Sequence, residues 1–376
     1  MQVLVVGAGV AGLSTAISLS ARGHRVTVVD RAEGAIGASI IVGHGAIYAL
    51  EALGVLDQVL EVAKQIKADE PSWWTLVHNA TGERMPVPAP RLPTTGLPSM
   101  VFLYRPLLSD ILVAAARRHG AEVHFNHTFT SLEQSEDGVT AELTTGEGGT
   151  FDLVVGADGI NSSVRERFFP EVGGPHYIGT MSLRSMIWDA PSHWLSGLHF
   201  VPGEPGSVTT LLPGGLFYLA VGARMDRRRI EPDEARALVR AALAKYEGSA
   251  MFAEVGERID DTVQPIVAPF EWIWVPQPWH RGRVVLVGDA VHATTPNIGA
   301  AGGMAIEDGV VLAEELERAG DLEAGLRAYE GRRLERTKLV VDASVEVMNL
   351  QRRVPREPMQ EAAVRGAAIE KLAEPY

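Results

Sequence analysis

The chain has 376 residues, of which 46% are hydrophobic and 22% charged, and its formal net charge is -13. This composition is typical of a globular protein with two or three structural units. The negative charge disfavours nucleic acid or an anionic membrane as the main partner, because the electrostatic contribution would be repulsive, although a local basic patch is compatible with it. The absence of cysteine excludes disulfides, thiolate metal sites and thiol nucleophiles. No metal site is predicted, and redox chemistry would need a bound cofactor.

The first residues, MQVLVVGAGVAGL, form an apolar run that lacks the basic region of a signal peptide and is interrupted by glycines. We therefore expect no secretion. No stretch is long and apolar enough to span a bilayer, so no membrane partner is expected. The predicted location is the cytoplasm.

The chain begins with a strand, a helix and a second strand. Residues 2–6 form a short β-branched run ended by glycine, which is typical of a buried parallel strand. A helix is predicted over residues 11–22 and the next strand over residues 25–29.

Helical patterns follow over residues 45–64 and 106–118, with Pro106 well placed in a first helical turn. Between them, the Pro-rich stretch from Pro86 to Pro98 is incompatible with regular helix or central strand.

From about residue 122 the pattern changes to period two, which is typical of strands. The strand-like segments are EVHFNHTFTSLEQ, GVTAELTT, TFDLVVGADG, TMSLRSMIW (180–188), SVTTLLP (207–213) and GLFYLAVGAR (215–224). A helix over 232–247, a strand over 283–289 and helical sequence from 301 onward complete the chain. A parallel dinucleotide-type unit is thus interrupted by a largely antiparallel sheet.

Gly7, Gly9 and Gly12 have the G-x-G-x-x-G spacing between the first strand and the first helix. Gly7 permits a tight turn, Gly9 lets the backbone approach a pyrophosphate, and Gly12 lets helix and strand pack closely. Asp30, at the end of the next strand, can accept hydrogen bonds from ribose hydroxyls, and Arg31 is included in the predicted site. The structural alternative is a helix-capping turn with an incidental acid. The motif alone does not separate FAD from NAD.

Two further segments carry similar strand ends. Residues 152–170, DLVVGADGINSSVRERFFP, contain Asp158, Gly159 and Arg165, and residues 282–316 contain Gly288 and Asp289 before a proline loop and a glycine-rich helix start. With all three segments in this order, the chain resembles the single-component flavoprotein aromatic hydroxylases, the group with the p-hydroxybenzoate hydroxylase fold.

The resemblance covers nearly the whole chain. It implies an α/β fold in which a Rossmann-like FAD-binding domain carries an inserted, mainly antiparallel β-sheet substrate domain and a C-terminal helical region. The expected FAD-binding domain comprises residues 1–70, 101–175 and 276–320. The expected substrate domain comprises residues 71–100 and 176–275, and the C-terminal helices residues 321–376.

The resemblance implies FAD as the tightly held dinucleotide. Asp289 can take a ribityl or ribose hydroxyl at the carboxyl end of its strand. The helix starting near Gly302 and Gly303 can direct backbone N–H groups at the pyrimidine side of the flavin. Pro296 and Gly299 belong to the same predicted cofactor loop.

Arg105 matches a family arginine that contacts the flavin chain, and its structural alternative is a solvated arginine at a helix start. In the family, the Asp158 segment is tied to FAD and nicotinamide use, but an ion pair between Asp158 and Arg165 that braces a turn explains it equally well. Many relatives carry Gln, Gly and Asn where this chain has Ala300, Ala301 and Gly303. Backbone contacts to the flavin are expected to survive this departure, which bears instead on flavin mobility and on the shape of the pocket floor.

The resemblance also implies an FAD-dependent monooxygenase that uses NAD(P)H and dioxygen to hydroxylate a small aromatic or electron-rich substrate through a C4a-hydroperoxyflavin. The protein would orient the substrate and protect the reactive oxygen from water. A monomer or a homodimer is expected.

Three catalytic candidates are predicted. Strand alternation makes Arg184 a candidate anion clamp and Tyr218 a hydrogen-bond donor, although an exposed sheet face would explain both. Asn297 is expected either to contact substrate or to cap the next helix. His44 and His292 are further titratable candidates, and His292 has the more structural position.

Other functions remain open at this point. Trp272, Trp274 and Pro276 are similar to part of the tryptophan motif of flavin-dependent halogenases, but the spacing is one residue short and packed tryptophans explain them better. A non-oxygenating flavoprotein oxidoreductase and a non-catalytic FAD-binding scaffold are the remaining alternatives.

Overall fold

The computed structural model describes residues 1–43, 45–66, 74–78, 83–87, 96–146, 148–201, 204–353 and 357–376. His44 lies outside the described residues, as does part of the Pro-rich stretch.

The strands, in chain order, are β1 (Gln2–Val6), β2 (Arg25–Asp30), β3 (Ser39–Gly43), β4 (Lys64–Ile66), β5 (Trp74–His78), β6 (Glu83–Val87), β7 (Met100–Tyr104), β8 (Glu122–Phe125), β9 (Phe129–Gln134), β10 (Val139–Leu143), β11 (Gly148–Phe151), β12 (Leu153–Gly156), β13 (His176–Ile187), β14 (Gly197–Phe200), β15 (Ser207–Leu212), β16 (Leu216–Arg224), β17 (Ile266–Trp272), β18 (His280–Arg281) and β19 (Val284–Leu286). The helices are α1 (Val10–Ser20), α2 (Ala46–Ala52), α3 (Leu56–Val62), α4 (Arg105–Arg118), α5 (Ser163–Phe168), α6 (Pro232–Ala244), α7 (Ala250–Glu257), α8 (Asp289–His292), α9 (Ala301–Arg318), α10 (Leu322–Gln351) and α11 (Pro358–Leu372).

A largely parallel sheet forms the dinucleotide-type unit. Across the described ranges its strand order is β18-β19-β12-β1-β2-β8, and β18 runs antiparallel to β19. In the central strand β1, Val3 is fully buried and Val6 is 3% exposed. Burial on both faces explains why this strand is a continuous apolar run rather than an alternating one.

Helices α1 and α9 pack closely against each other beside this sheet. A Cβ added at Gly309 of α9 would lie 2.4 Å from the backbone nitrogen of Thr15 in α1. A side chain at this position would therefore force the two helices apart. On its other side, α9 packs against the long helix α10.

A second, mainly antiparallel sheet has the order β17-β13-β16-β15-β14-β5-β6 in the described part of the chain, with β14 and β5 parallel. Side chains from one face of β13 and β16, including Leu183, Phe217 and Leu219, form a hydrophobic cluster with residues of α6 and α7. The opposite face carries Arg184 and Tyr218 and borders a large cavity.

The prediction of one helix over 45–64 is wrong. The structure has α2 and α3, separated by Gly54, which adopts a positive φ of 66°. The Gly54 N–H donates to the Glu51 carbonyl at 2.9 Å and the Val55 N–H to the Leu50 carbonyl at 3.1 Å. A left-handed glycine therefore closes α2 and changes the chain direction.

Two predicted strands are each divided between two sheets. The segment 122–134 contains Asn126, whose positive φ of 61° breaks it into β8 and β9. Strand β8 joins the parallel sheet, whereas β9 pairs with β10 in a small antiparallel sheet that also contains β11. The predicted strand TFDLVVGADG likewise contributes to both β11 and β12.

Several elements were not predicted. Among them are helix α7, strands β5, β14 and β17 and the small sheet β3-β7-β4. The predicted strand over 283–289 is also shorter, covering only Val284–Leu286. Among the described helices, none is long and apolar enough to cross a membrane.

Candidate active site

One cavity of about 680 Å³ extends from the glycine-rich loop to the open face of the second sheet. Nine predicted site residues line it: Gly9, Arg105, Arg184, Tyr218, Asp289, Pro296, Asn297, Gly299 and Gly302. Six other predicted site residues are not part of its wall: Gly7, Gly12, Asp30, Arg31, Asp158 and Gly303. The structure therefore brings both predicted halves of the site into one space.

The three loop glycines have different surroundings. A Cβ at Gly12 would lie 1.8 Å from the Gly7 carbonyl oxygen, and Gly7 itself has a φ of 109°. Both positions therefore require glycine for the fold itself. In contrast, a Cβ at Gly9 would meet nothing within 4 Å. Gly9 therefore leaves open space at the N-terminus of α1, where backbone N–H groups can receive an anion.

Asp30 holds this loop through its carboxylate. One oxygen accepts a hydrogen bond from the Ala8 N–H at 2.7 Å, and the other accepts from the Ala32 N–H at 2.7 Å. A carboxylate has further acceptor capacity, so these bonds leave room for a ribose hydroxyl. Arg31 beside it is exposed.

Asp289 begins the short helix α8, immediately after Gly288, whose φ is 60°. The Asp289 side chain lines the cavity and is accessible from it, although other protein groups surround it closely. Desolvation by the surrounding protein raises the pKa of Asp289, whereas the charges of His292 and Arg105 act in the opposite direction. The carboxylate is thus placed to accept hydrogen bonds from a ligand in the cavity.

Asp158 and Arg165 do not form the ion pair considered above. The carboxylate of Asp158 accepts hydrogen bonds from the Ser163 N–H at 2.6 Å and from the Ser162 hydroxyl, so it braces the start of α5. Burial raises the pKa of Asp158, and these hydrogen bonds oppose the shift. The guanidinium of Arg165 instead donates to the carbonyls of Ala290 at 2.9 Å and Ile160 at 2.6 Å.

The loop before α9 forms the cavity floor. Asn297 donates from Nδ2 to Oε1 of Gln351 at 3.0 Å, whereas the N-cap residue of α9 is Ala300. Asn297 therefore does not cap α9. A Cβ at Gly303 would lie 2.9 Å from that of Ala46, so Gly303 serves helix packing rather than the cavity wall.

Arg184 and Tyr218 lie on the open face of the second sheet, in neighbouring strands. Burial raises the pKa of Tyr218, and the nearby charge of Arg184 partly opposes this shift. In the portion of the chain that the structure describes, the Arg184 guanidinium makes no hydrogen bond or ion pair. An unneutralised cation in a cavity wall is a suitable partner for an anionic group.

Other cavity residues were not predicted, among them Ser39, Thr295, Gln351 and Arg352. Ser39 lies in a strand that the sequence pattern did not indicate. Gln351 and Arg352 lie at the end of α10, far along the chain from the other site residues. Thr295 directly precedes Pro296, so its position beside the predicted cofactor loop was the available signal.

Comparison with known proteins identifies the family. A family model described as an FAD binding domain matches residues 1–344. The chain belongs to this family. As a member of the FAD binding domain family, it is 30% identical over 359 residues to 3-hydroxybenzoate 6-hydroxylase 1 of Aquipseudomonas alcaligenes, covering 90% of this chain and 86% of that protein.

It is also 29% identical over 353 residues to the FAD-dependent urate hydroxylase of Klebsiella pneumoniae subsp. pneumoniae, covering 91% of this chain and 88% of the relative. A similar solved structure is Klebsiella pneumoniae HpxO complexed with FAD and uric acid. The two structures have a TM-score of 0.79 and 26% sequence identity, and the matched region covers 100% of this chain and 93% of that one.

These findings confirm the predicted class: this family member is an FAD-dependent monooxygenase with the predicted α/β fold. They do not favour the halogenase alternative. Trp272 stacks on His176 with ring centroids 4.6 Å apart, and Trp274 meets the ring of Trp279 edge-to-face at 5.8 Å. Both contacts are ordinary aromatic packing.

The cavity fits FAD on structural grounds as well. Gly9 leaves space at a helix N-terminus, and the Asp289 carboxylate is exposed to the cavity. The hydroxyls of Ser39 and Thr295, both cavity residues, are buried and have no hydrogen-bond partner among the described residues. Buried polar atoms are normally satisfied, so these hydroxyls are suitable contacts for a polar cofactor.

Proposed function

We propose that this monooxygenase hydroxylates a small anionic aromatic or electron-rich molecule, with Arg184 binding its anionic group and Tyr218 donating a hydrogen bond to it. The observation that carries the proposal is the Arg184 guanidinium, which lines the cavity and has no hydrogen-bond or ion-pair partner within the described ranges. Arg184 is half-buried. Partial desolvation of a cation without a counter-charge is costly, so a ligand that supplies the counter-charge would bind favourably.

Tyr218 supports the same assignment. Its pKa is raised by burial, so its hydroxyl stays protonated at neutral pH. A protonated phenol can donate a hydrogen bond to a carboxylate or phenolate oxygen of the substrate. Arg184 and Tyr218 would thus orient one polar edge of the ring, and the opposite edge would face the cofactor.

We further propose that Asp289, Arg105 and the open loop at Gly9 hold FAD at the other end of the cavity. When bound, FAD accepts hydride from NAD(P)H and activates dioxygen for transfer to the substrate. Asp289 would accept a hydroxyl hydrogen bond, Arg105 would neutralise phosphate charge, and the α1 N-terminus would face the pyrophosphate. Walls such as Ile40 and Ile178 would limit water near the reacting atoms.

The remaining predictions stand as part of this proposal. We also propose the predicted domain boundaries, and their support is that the parallel sheet takes its strands from residues 2–6, 25–30, 122–125, 153–156 and 280–286. A cytoplasmic location, in keeping with the absence of cysteine, and a monomeric or homodimeric state belong to the same proposal.

The test compares pairs of aromatic compounds that differ only in charge, such as hydroxybenzoates and the corresponding hydroxybenzamides. Purified enzyme with FAD and NAD(P)H is assayed for nicotinamide oxidation that the added compound stimulates. The molecular masses of the products are measured by mass spectrometry after reaction under ¹⁸O-labelled dioxygen. We expect the anionic member of a productive pair to stimulate oxidation and to gain one labelled oxygen atom.

The matched variants are Arg184→Met, which keeps an unbranched apolar stem and removes the charged guanidinium, and Arg118→Met, which removes an exposed arginine outside the cavity. The preference for anionic compounds should disappear only in Arg184→Met. Equal use of charged and neutral compounds by the unaltered enzyme would overturn the assignment of Arg184. Oxidation of NAD(P)H without labelled product would contradict oxygen transfer to the compounds tested.

A further inference from the structure

A fully buried carboxylate lies behind the turn that presents Asp289. Asp308 of α9 accepts hydrogen bonds at one oxygen from the Gly288 N–H at 2.8 Å and from Nε2 of His292 at 2.7 Å. A carboxylate only accepts, so Nε2 of His292 carries the proton. The second oxygen accepts from Nε of Arg333 at 2.8 Å. One side chain thus fixes both ends of the turn that contains Asp289.

The environment keeps Asp308 charged. Burial acts to raise its pKa, but the charges of His292 and Arg333 and the hydrogen bonds from His292 and Gly288 lower it to about 2. The charge on the acceptor strengthens the bond to the Gly288 N–H, because hydrogen bonds to ionised groups are roughly twice as strong as neutral ones.

Glu307 provides a natural comparison, because it is adjacent in sequence and also fully buried. Its carboxylate accepts from Nη1 of Arg333 at 2.7 Å and from Nε of Arg336 at 2.8 Å. Within the described residues, the hydrogen-bond partners of Glu307 lie on α10, whereas those of Asp308 include the Gly288–His292 turn. The two acids share Arg333 and differ in whether they touch this turn.

We propose that Asp308 is a positioning residue for FAD: it holds the Gly288–His292 turn so that the Asp289 carboxylate is oriented towards the cofactor. This role rests on the proposed contact between Asp289 and FAD. Asp308 does not itself line the cavity, so it acts only through the turn.

The experiment compares Asp308→Asn with Glu307→Gln. Each substitution removes one buried charge at constant volume, and each leaves Arg333 with one acidic partner. FAD is removed from the purified proteins, and the dissociation constant of FAD is measured by fluorescence titration, alongside the melting temperature of each flavin-free protein. A purely structural role would lower both melting temperatures and leave FAD affinity the same in the two variants.

We expect the dissociation constant to rise about tenfold or more in Asp308→Asn, the range expected for one charged hydrogen bond, and to stay within about threefold in Glu307→Gln. Equal FAD affinity in the two variants would overturn the proposal. If Asp308→Asn does not fold, His292→Asn replaces it, since this change releases the turn but keeps both acid–Arg333 pairs. Unchanged FAD affinity in His292→Asn would then overturn it.

Asp289→Ala is titrated with FAD in the same series. This variant separates the proposed contact of Asp289 with FAD from the proposed positioning role of Asp308. If Asp289→Ala binds FAD as tightly as the unaltered protein, the assigned contact of Asp289 is wrong. If Asp289→Ala binds FAD weakly and Asp308→Asn does not, only the positioning role of Asp308 is wrong.

Discussion

The two ends of the cavity are built from different kinds of groups. The end near β1 presents backbone at Gly9 and the turn that carries Asp289, and the half-buried Asp30 and the fully buried Asp308 brace these segments from behind. The end formed by the second sheet presents side chains, notably Arg184 and Tyr218, from strands that pack on α6 and α7. A site built mainly from backbone keeps its binding groups when most side chains change, whereas a site built from side chains changes with each of them. The same fold can therefore keep one cofactor and serve many substrates.

The largest expected effect tests the backbone end. In Gly9→Val, the new side chain meets no protein atom at its Cβ but projects into the space that we assign to the pyrophosphate. We expect FAD affinity to fall by about 1000-fold, or ~4 kcal/mol, because the clash also removes backbone contacts. The flavin-free protein should melt near the temperature of the unaltered one. FAD titration and thermal melting measure the two quantities.

Gly12→Ala is the control, and it should show the reverse pattern. Its Cβ would lie 1.8 Å from the Gly7 carbonyl oxygen, so the flavin-free protein itself should be destabilised. If Gly9→Val retains FAD, the pyrophosphate does not approach this loop.

A second prediction tests the side-chain end. Arg184→Met should lower kcat/KM for an anionic substrate by about 100-fold, since removing one partner of a desolvated charge pair costs several kcal/mol. FAD affinity should not change, because Arg184 belongs to the other end of the cavity. Steady-state kinetics and FAD titration on the same preparation show whether the substitution affects substrate use, FAD binding or both. A parallel loss of FAD binding would show that the ends are not independent.

The third prediction concerns the pH dependence of stability that the buried Asp308 carboxylate causes. The folded-state pKa of Asp308 is about 2, below its usual value of 3.8, so its charge stabilises the fold above pH 4 and this contribution is lost as the pH falls through 2. The loss should amount to about 2 kcal/mol of unfolding free energy. Urea unfolding of the unaltered protein and of Asp308→Asn between pH 4 and pH 2 measures it. Identical pH dependence in both proteins would contradict the assigned pKa.

The smallest expected effect is at Tyr218. Tyr218→Phe removes one hydrogen-bond donor and leaves the ring, so kcat/KM should fall about tenfold, in line with the loss of one hydrogen bond. The pH profile offers a second check, because the raised pKa keeps the hydroxyl protonated through neutral pH. No ionisation of Tyr218 should therefore appear in that range. An unchanged kcat/KM would show that Tyr218 does not contact the substrate.

The sequence predicts the backbone end better than the side-chain end because its signals are local. Gly7, Gly9 and Gly12 lie in one short segment between a strand and a helix, and Asp289 comes soon after its strand. The shared face of Arg184 and its neighbours also followed from alternation. In contrast, the contact of Asn297 with Gln351 joins residues 54 positions apart, and no local pattern indicates it. The division of residues 122–134 between two sheets likewise depends on distant pairing partners.

Helix α10 supports two parts of the cavity, the Asp289 turn and the floor loop, through two contacts on one side of the helix. Arg333 bonds to Asp308 and Gln351 bonds to Asn297. The two α10 residues are 18 positions apart, which is about five complete turns and about 27 Å of helix. Inserting a single residue between them would rotate Gln351 by about 100° and separate it from Asn297 while Arg333 stayed in place. The length of this segment is therefore constrained more tightly than its composition.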